Sequence, residues 1–146
     1  MSVKENKELV RQFYRDYSEL GDNPAKIRSW CEEHLAPGFV YHNPSRGDLN
    51  IEQEIKNEIA LYSAFPDVRF MVDDIIAEGD KVVLRWTTQS THRGAFMGMP
   101  PSGKKVTMKG VGIYKIQRGK VLELWTFADF LGVMTQLGAI PSAAKK

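Results

Sequence analysis

The stretch that decides the fold is "VRFMVDDIIAEGDKVVLRWTTQSTH", residues 68–92. Its apolar and polar side chains alternate with a period of two, which indicates strands and not helices. Gly79 and Asp80 fit the tight turn of a hairpin between two strands. A second pair of strands is predicted in "KKVTMKGVGIYKIQRGKVLELWTFAD", residues 104–129, with Gly119 in its turn. The second half of the chain is therefore predicted to form an antiparallel meander.

The first half of the chain and the segment 129–138 have the three- to four-residue apolar period of helices. Helices are predicted over residues 3–20, 23–36, 50–65 and 129–138. The clearest start signal is Asn23 as N-cap followed by Pro24 at the first helical position. Residues 141–146 are predicted to be a frayed tail. Helices followed by a long meander predict an α+β domain, with the helices packed on one face of a curved sheet.

Composition is that of an ordinary globular protein, and residues 1–146 fit a single domain. The 20 basic and 18 acidic residues are spread along the chain, so no nucleic-acid face is predicted. The first residues lack the apolar core of a signal peptide, and no apolar run is long enough to span a membrane. Cys31 is the single cysteine, which excludes an internal disulfide and favours a buried, unreactive thiol. We therefore expect a cytoplasmic protein with neither nucleic acid nor membrane as a partner.

Strand alternation also predicts which side chains face the helices, because every second residue of a strand shares a face. The predicted inward set is Trp86, His92, Tyr114, Trp125, Phe127 and Asp129. Such residues suit a ligand pocket, but they also suit a filled core with a polar rim, and both interpretations stay open. Gly110 and Gly112 on the inward face indicate either a bulge or room for a ligand. Leu122 and Leu124 on the opposite face predict that a second subunit covers the sheet.

The connection "THRGAFMGMPPSGKKV", residues 91–106, is unusually apolar for a loop. It carries Phe96, Met97 and Met99, whereas connections are usually polar because they lie on a wet surface. The three histidines do not have the spacing of metal ligands, so no metal is predicted. The chain also has no nucleophile elbow, phosphate-binding loop or dinucleotide-binding fingerprint. Function must therefore be sought in a pocket rather than in a short catalytic motif.

Several segments, in this order and spacing, carry a resemblance to a known family. They are "FPD" at 65–67, "EGDKVVLRWT" at 78–87, the connection at 91–106, "GKVLELW" at 119–125 and "DFLGVMTQLG" at 129–138. With "YHNPSRG" at 41–47, they make the chain resemble the SnoaL-like polyketide cyclases, also called ester cyclases. The resemblance implies the cone-like α+β barrel shared with ketosteroid isomerase and nuclear transport factor 2. In that fold, N-terminal helices pack in the concave face of a strongly curved, mainly antiparallel sheet around a deep apolar cavity.

The resemblance also implies a chemistry. Characterised members close a ring by an intramolecular aldol reaction without metal or organic cofactor, and an aspartate of the last strand is the proposed acid/base. Asp129 occupies that position, and a carboxyl group walled by Trp125, Phe127 and Phe130 would be poorly solvated, which favours its protonated form. Asp129 could equally be the N-cap of the last helix, and both roles can hold. His92 could contact a substrate carbonyl, relay a proton, or be a satisfied histidine at the rim.

A wider set of side chains is expected to bind the substrate. It comprises Tyr14, His42, Asn43, Trp86, Phe96, Met97, Met99, Met108, Tyr114, Trp125 and Phe127. The loop residues Phe96, Met97 and Met99 would form a lid or a subunit contact at the mouth of the cavity. Asn43 could orient a carbonyl oxygen, or it could form a turn before Pro44.

The leading functional hypothesis is a cofactor-independent aldol cyclase, or a related lyase or isomerase, acting on a hydrophobic carbonyl or polyketide-ester-like compound. One rival is a non-catalytic protein that holds an apolar metabolite in the same cavity. Another is a ketosteroid-isomerase-like or epoxide-opening enzyme on the same scaffold. The expected partners are a hydrophobic small molecule and further copies of the chain, as a homodimer or homotetramer.

Overall fold

A computed structural model describes residues 2–141 of the chain. Its helices are α1 (Val3–Tyr17), α2 (Pro24–His34), α3 (Ile51–Ala64) and α4 (Phe130–Gln136). Its strands are β1 (Leu35–Asn43), β2 (Gly47–Leu49), β3 (Arg69–Glu78), β4 (Lys81–Thr91), β5 (Lys105–Gln117) and β6 (Lys120–Ala128). The predicted tail lies outside the described residues except for Pro141. Among residues 2–141, no helix combines the length and apolar character needed to cross a membrane.

The predicted α+β class is confirmed. The six strands form one sheet in the order β2-β1-β6-β5-β4-β3, and the sheet does not close on itself. All neighbouring strands are antiparallel except β1 and β6, which are parallel. Helices α1, α2 and α3 supply the apolar side chains that pack against the inward face of β4, β5 and β6 in the main core.

The helix signals are confirmed at their starts and less well at their ends. Asn23 caps α2 by accepting hydrogen bonds from the backbone of Ala25 and Lys26, with Pro24 in the first turn. Helix α1 ends at Tyr17, three residues before the predicted end. Helix α2 ends at His34, because the chain passes directly into β1, a strand that was not predicted. Pro37 lies within β1, where its fixed φ is compatible with extended backbone.

A bulge in β6 changes which of its side chains face inward. Ile116 of β5 pairs with Val121, but Lys115 pairs with Glu123, so Leu122 is an extra residue without an opposite partner. Because side chains alternate with a period of two, one extra residue exchanges the two faces of the rest of the strand. The prediction that Trp125 and Phe127 face inward is therefore wrong. The inward residues after the bulge are Leu124, Thr126 and Ala128.

The two glycines of β5 make room for aromatic rings and do not form a bulge. The pairing of β4 with β5 is continuous, with Trp86 opposite Gly110 and Leu84 opposite Gly112. A Cβ atom on Gly110 would lie 2.3 Å from the ring of Trp86, and one on Gly112 would lie 2.7 Å from the hydroxyl oxygen of Tyr114. These glycines let Trp86 and Tyr114 lie flat across the strand, which shapes one wall of the interior.

Candidate active site

A cavity of about 420 Å³ lies between the helices and the concave face of the sheet. Small-molecule sites span roughly 300–1,000 Å³ and are mostly apolar. The aromatic part of the wall consists of Phe13, Tyr14, Tyr17, Trp30, Phe39, Tyr41, Phe65, Phe70, Trp86, Phe96, Tyr114 and Phe130. The interior therefore contains a ligand-sized space and is not a filled core.

Two phenol groups meet in the cavity wall. The hydroxyl groups of Tyr14, on α1, and Tyr114, on β5, share a hydrogen bond, and the ring of Phe70 stacks on Tyr14 with centroids 3.7 Å apart. Burial raises the pKa of both phenols, and for Tyr14 the proximity of Tyr114 adds to the effect. Both groups are therefore protonated at neutral pH. One hydroxyl hydrogen is used between them, and the second lies outside this hydrogen bond.

Two carboxyl groups also line the cavity. Glu54 and Glu58 lie four residues apart on α3, so their side chains are neighbours on one face of the helix. Glu54 is only 4% exposed. The Oε2 atom of each carboxyl group is buried without a hydrogen-bond partner among the described residues. The wall therefore contains buried acceptor or donor atoms that the protein itself does not satisfy.

Burial raises the pKa of both carboxyl groups, and the neighbouring Glu58 raises the pKa of Glu54 further. Interaction with the Tyr17 hydroxyl partly offsets the rise in pKa at Glu58. The amide of Asn57 donates to Oε1 of Glu54 at 3.0 Å, and Nη1 of Arg46 donates to Oδ1 of Asn57 at 3.1 Å. Asn57 thus holds Oε1 of Glu54, and the neighbouring Glu58 is the other group that interacts with this carboxyl group.

Seven of the predicted substrate-binding residues line the cavity. They are Tyr14, Asn43, Trp86, Phe96, Met97, Met108 and Tyr114. Asn43 also forms the alternative turn, because its Oδ1 accepts hydrogen bonds from the backbone of Ser45 and Arg46 at 2.9 and 3.0 Å. Met97 is 65% exposed and lies at the rim. The apolar loop is therefore explained in part by the cavity that it borders.

Met99 and His92 lie behind this wall and do not line the cavity. Met99 packs at the edge of a second core cluster and pairs with Phe96 through its backbone. His92 is almost fully buried, and its Nδ1 is 2.8 Å from Oγ of Ser102. Its ring packs near Phe65, with centroids 5.7 Å apart. His92 is thus a core histidine that fixes the start of the loop, and not a residue of the rim.

His42, Trp125 and Phe127 lie on the outer face of the sheet and away from the cavity. The ring of His42 stacks on Trp125 with centroids 4.8 Å apart. Its Nδ1 is 2.9 Å from Asp48 and its Nε2 is 3.0 Å from Glu123, and these contacts raise the pKa of the imidazole. Phe127 is 60% exposed. The bulge in β6 explains why the side chains of Trp125 and Phe127 lie on the outer face.

Asp129 is exposed and does not line the cavity. Its Oδ1 accepts a hydrogen bond from the backbone nitrogen of Gly132 at 2.8 Å, which makes it the N-cap of α4. The expectation that aromatic side chains shield this carboxyl group is therefore wrong. Its chain neighbours Ala128 and Phe130 do line the cavity, so Asp129 lies beside the rim.

A family model described as "SnoaL-like polyketide cyclase" matches residues 8–137. The chain belongs to the SnoaL-like polyketide cyclase family. The aklanonic acid methyl ester cyclase DauD from Streptomyces sp. (strain C5) is 26% identical over 133 residues, which cover 90% of this chain and 80% of DauD. The SnoaL-like family predicted from the sequence is thereby confirmed.

Solved structures agree with the SnoaL-like assignment. AclR from Streptomyces galilaeus, provisionally described as a hydroxylase, has a TM-score of 0.86 and 28% identity, covering 99% of this chain and 87% of AclR. A protein from Jannaschia sp. CCS1, provisionally described as a SnoaL-like polyketide cyclase, has a TM-score of 0.81 and 31% identity, covering 94% of each chain. The predicted cone-like α+β fold is confirmed by these neighbours and by the observed architecture.

The most polar groups in the cavity of this SnoaL-like chain were missed by sequence reasoning. Glu54 and Glu58 lie beside the predicted apolar stripe of α3, in line with Leu61 and Phe65. The signal was present, since two acids at a four-residue spacing continue a stripe of apolar residues. Acids on a helix are usually solvated, however, and nothing local shows that α3 turns this edge toward a cavity.

Among residues 2–141, no three His, Cys, Asp or Glu side chains are grouped as a metal site would require.

Proposed function

We propose that this SnoaL-like protein is an enzyme that closes a ring in an apolar carbonyl compound by proton transfer within the cavity. The observation that carries the proposal is the ligand-sized, mostly aromatic cavity with a phenol pair and a carboxyl pair in its wall. The names of two relatives support the substrate class, since DauD and DnrD are both called aklanonic acid methyl ester cyclases. A polyketide ester is therefore the first substrate to test.

The proposed reaction is an intramolecular aldol addition. A base removes a proton from a carbon next to an ester, and the resulting enolate carbon bonds to a second carbonyl carbon. The π electrons of that carbonyl move to its oxygen, and the alkoxide takes up a proton, so no atom is lost. The phenol pair suits this step, because a hydroxyl hydrogen that remains in place at neutral pH stabilises negative charge on an oxygen. The apolar wall favours the same interaction by excluding water.

Asp129 remains the proposed base on the strength of the family resemblance. Its position beside Ala128 and Phe130 supports the assignment, because both neighbours line the cavity. The carboxylate would have to turn from Gly132 toward the rim when substrate binds, a movement that catalytic groups in unliganded enzymes often need. Asn can replace Asp as an N-cap at little cost, so Asp129→Asn removes the base while leaving the cap of α4.

The test is to incubate the purified protein with aklanonic acid methyl ester and to follow the appearance of an isomeric cyclised product by chromatography with mass detection. We expect conversion by the wild type and loss of conversion on replacing Asp129 with Asn. Binding without conversion would favour the rival hypothesis, a protein that only holds an apolar metabolite. Failure to bind the ester would show that the proposed substrate class is wrong.

A further inference from the structure

We propose that Glu54 and Glu58 together hold one proton, carried by Oε2 of Glu54, and that Oε2 donates it to a carbonyl oxygen of the bound substrate, making this pair the acid of the reaction. The inference rests on the proposed function and deepens it, since it names the group that the substrate oxygen contacts. Neither the resemblance nor the relatives' names point to this pair.

The first observation is that the pair is unsatisfied. Glu54 and Glu58 both line the cavity. The Oε2 atom of each is buried and has no hydrogen-bond partner among residues 2–141. Buried polar atoms are almost always hydrogen-bonded, and a buried one left without a partner is destabilising. A ligand in the cavity can supply the missing partner. Glu54 is the clearer case of a buried polar group without a partner, because its side chain belongs to a residue that is only 4% exposed.

The second observation is that the protein has already fixed the roles of the two oxygen atoms of Glu54. Asn57 donates to Oε1, so Oε1 must act as an acceptor. When Glu54 carries a proton, the proton therefore sits on Oε2, the other oxygen. Arg46 orients Asn57 by donating to its amide oxygen. The arrangement holds a carboxylic acid in the cavity wall, and its O–H group can turn from the neighbouring Glu58 carboxyl group to the carbonyl oxygen of a bound ligand.

The charges around the pair favour keeping a proton there. Two carboxylates in contact repel each other, and burial disfavours the ionised form of each, so their titrations are coupled and both pKa values are raised. Arg46 partly opposes the rise in pKa at Glu54. The titratable and charged groups that face the pair are Tyr14, Tyr17, Cys31, Tyr41, Arg46, Tyr62 and Tyr114. The phenols and the thiol in this group have raised pKa values through burial, so they are neutral at pH 7.

The chemistry of the site selects an oxygen acceptor. Besides the carboxyl pair and the phenols, the wall presents the hydroxyl groups of Thr88, Ser90 and Thr126, and all of these groups can donate an O–H hydrogen. A ketone or ester carbonyl in an otherwise apolar ligand complements them. An ammonium ligand would need the pair ionised and would also meet Arg46. We therefore commit to a carbonyl oxygen.

In the reaction, the carboxylic acid first donates a hydrogen bond to the carbonyl that is attacked. As the carbon–carbon bond forms and the carbonyl π bond breaks, the proton moves from Oε2 to the new alkoxide oxygen. The pair is then left one proton short. The proton taken from carbon by the base returns to the pair through solvent, so the cycle is balanced.

The test compares two replacements of Glu54 that differ in one property. Gln keeps an N–H donor but cannot give up a proton, whereas Leu has neither. Binding of aklanonic acid methyl ester is measured by calorimetry, and cyclisation is measured in parallel. Glu33→Gln is the matched control, because Glu33 is exposed on the neighbouring helix and does not line the cavity.

We expect Glu54→Leu to weaken binding of the ester by about tenfold, the value of one hydrogen bond. Glu54→Gln should bind nearly as well as the wild type but lose turnover by at least about a hundredfold, as expected for a missing general acid. Wild-type binding should also weaken as pH rises through the raised pKa of the pair, whereas binding by Glu54→Gln should not. A merely structural role for Glu54 would not produce this pH profile.

Each outcome supports or overturns the inference. If the wild type binds and converts the ester but Glu54→Leu binds equally well, the carboxyl pair is not the carbonyl site, while the proposed function stands. If Glu54→Gln turns over at the wild-type rate, the pair is not the acid. If the wild type does not bind the ester, the proposed substrate class fails, and this inference fails with it. Should Glu54→Leu not fold, comparing the turnover of Glu54→Gln with that of Glu33→Gln still decides whether the pair transfers a proton.

Discussion

The molecule holds carboxyl groups in two very different settings, one in the cavity wall and one outside it. On α3, Glu54 is buried and Glu58 beside it is half-buried, and the Oε2 atom of each is buried without a hydrogen-bond partner among the described residues. At the end of β6, Asp129 is exposed and satisfied by the backbone of Gly132. The first setting favours the protonated acid, because both burial and a like charge oppose ionisation. In the second, solvent and the backbone N–H of Gly132 surround the carboxyl group.

This difference suggests that the two settings supply different catalytic groups, one the base and the other the acid. An aldol addition needs a base for carbon and an acid for oxygen, and one environment cannot serve both equally well at a single pH. A solvated carboxylate beside the rim suits the base, and a buried protonated pair suits the acid. Substitutions in each setting can test whether the two differ in this way.

The largest effect is expected at Asp129. Asp129→Asn should lower kcat by about a hundredfold or more, as for loss of a general base, while the cap of α4 is kept. The measurement is steady-state cyclisation of the ester. An unchanged kcat would reduce Asp129 to a capping residue and leave only the buried pair as an acid/base.

The phenol pair should show the next largest effect. Tyr114→Phe should lower kcat by about tenfold to a hundredfold, because it removes a donor for the developing alkoxide. It also leaves Tyr14 without its partner. The pH dependence of turnover should keep its shape, since neither phenol changes charge near neutral pH. A shifted profile would show that the phenols and the carboxyl pair titrate together.

The pH dependence of the free energy of unfolding should reveal the raised pKa of the Glu54–Glu58 pair without any substrate. At pH below the ordinary value of 4.5, the carboxyl groups are protonated in both the native and the unfolded chain. As pH rises above 4.5, the unfolded chain loses these protons first, so the free energy of unfolding falls until the native pair ionises too. Denaturant unfolding at several pH values should show a smaller fall for Glu54→Gln than for the wild type. Equal slopes would contradict the raised pKa of the pair, and Glu33→Gln provides the control.

At Asp129, stability should depend on capping alone. Asp129→Ala should lower the free energy of unfolding by about 1 kcal/mol through loss of the N-cap, and Asp129→Asn by much less. Thermal or denaturant unfolding of the two variants measures the difference. If Ala is as stable as Asp, the hydrogen bond to Gly132 contributes little, and the carboxylate is freer to turn toward the rim.

The smallest effect on turnover is expected from the outer face of the sheet. Phe127 is 60% exposed there and pairs across the sheet with Val111, itself 41% exposed. The homodimer or homotetramer predicted from the sequence would cover this face, so Phe127→Lys should reduce the mass measured by light scattering. Ile76→Lys on the edge strand β3 is the control, because Ile76 is equally exposed at 61%. Turnover per chain should not change, since Phe127 does not line the cavity, and an unchanged mass would argue against this interface.

Local patterns accounted for most of the architecture. The two-residue apolar period predicted strands β3 to β6, and Asn23 followed by Pro24 predicted the start of α2. They failed at β1, where Pro37 and Gly38 resemble a stop signal but lie in a strand held by its pairing with β6. They failed again at Leu122, since no residue type marks the bulge that turns Trp125 and Phe127 outward. Pairing partners that are distant in sequence decided both cases.

The sequence by itself determined the family, the α+β class and the helix caps, because periodicity and capping depend on residues within a few positions of one another. Only the tertiary structure decided which acids meet the cavity. Glu54 and Glu58 look like ordinary helix acids until α3 is packed against the sheet, and Asp129 looks inward until the bulge is known. Burial depends on every element that surrounds a side chain, and it is burial that sets the protonation on which the proposed chemistry depends.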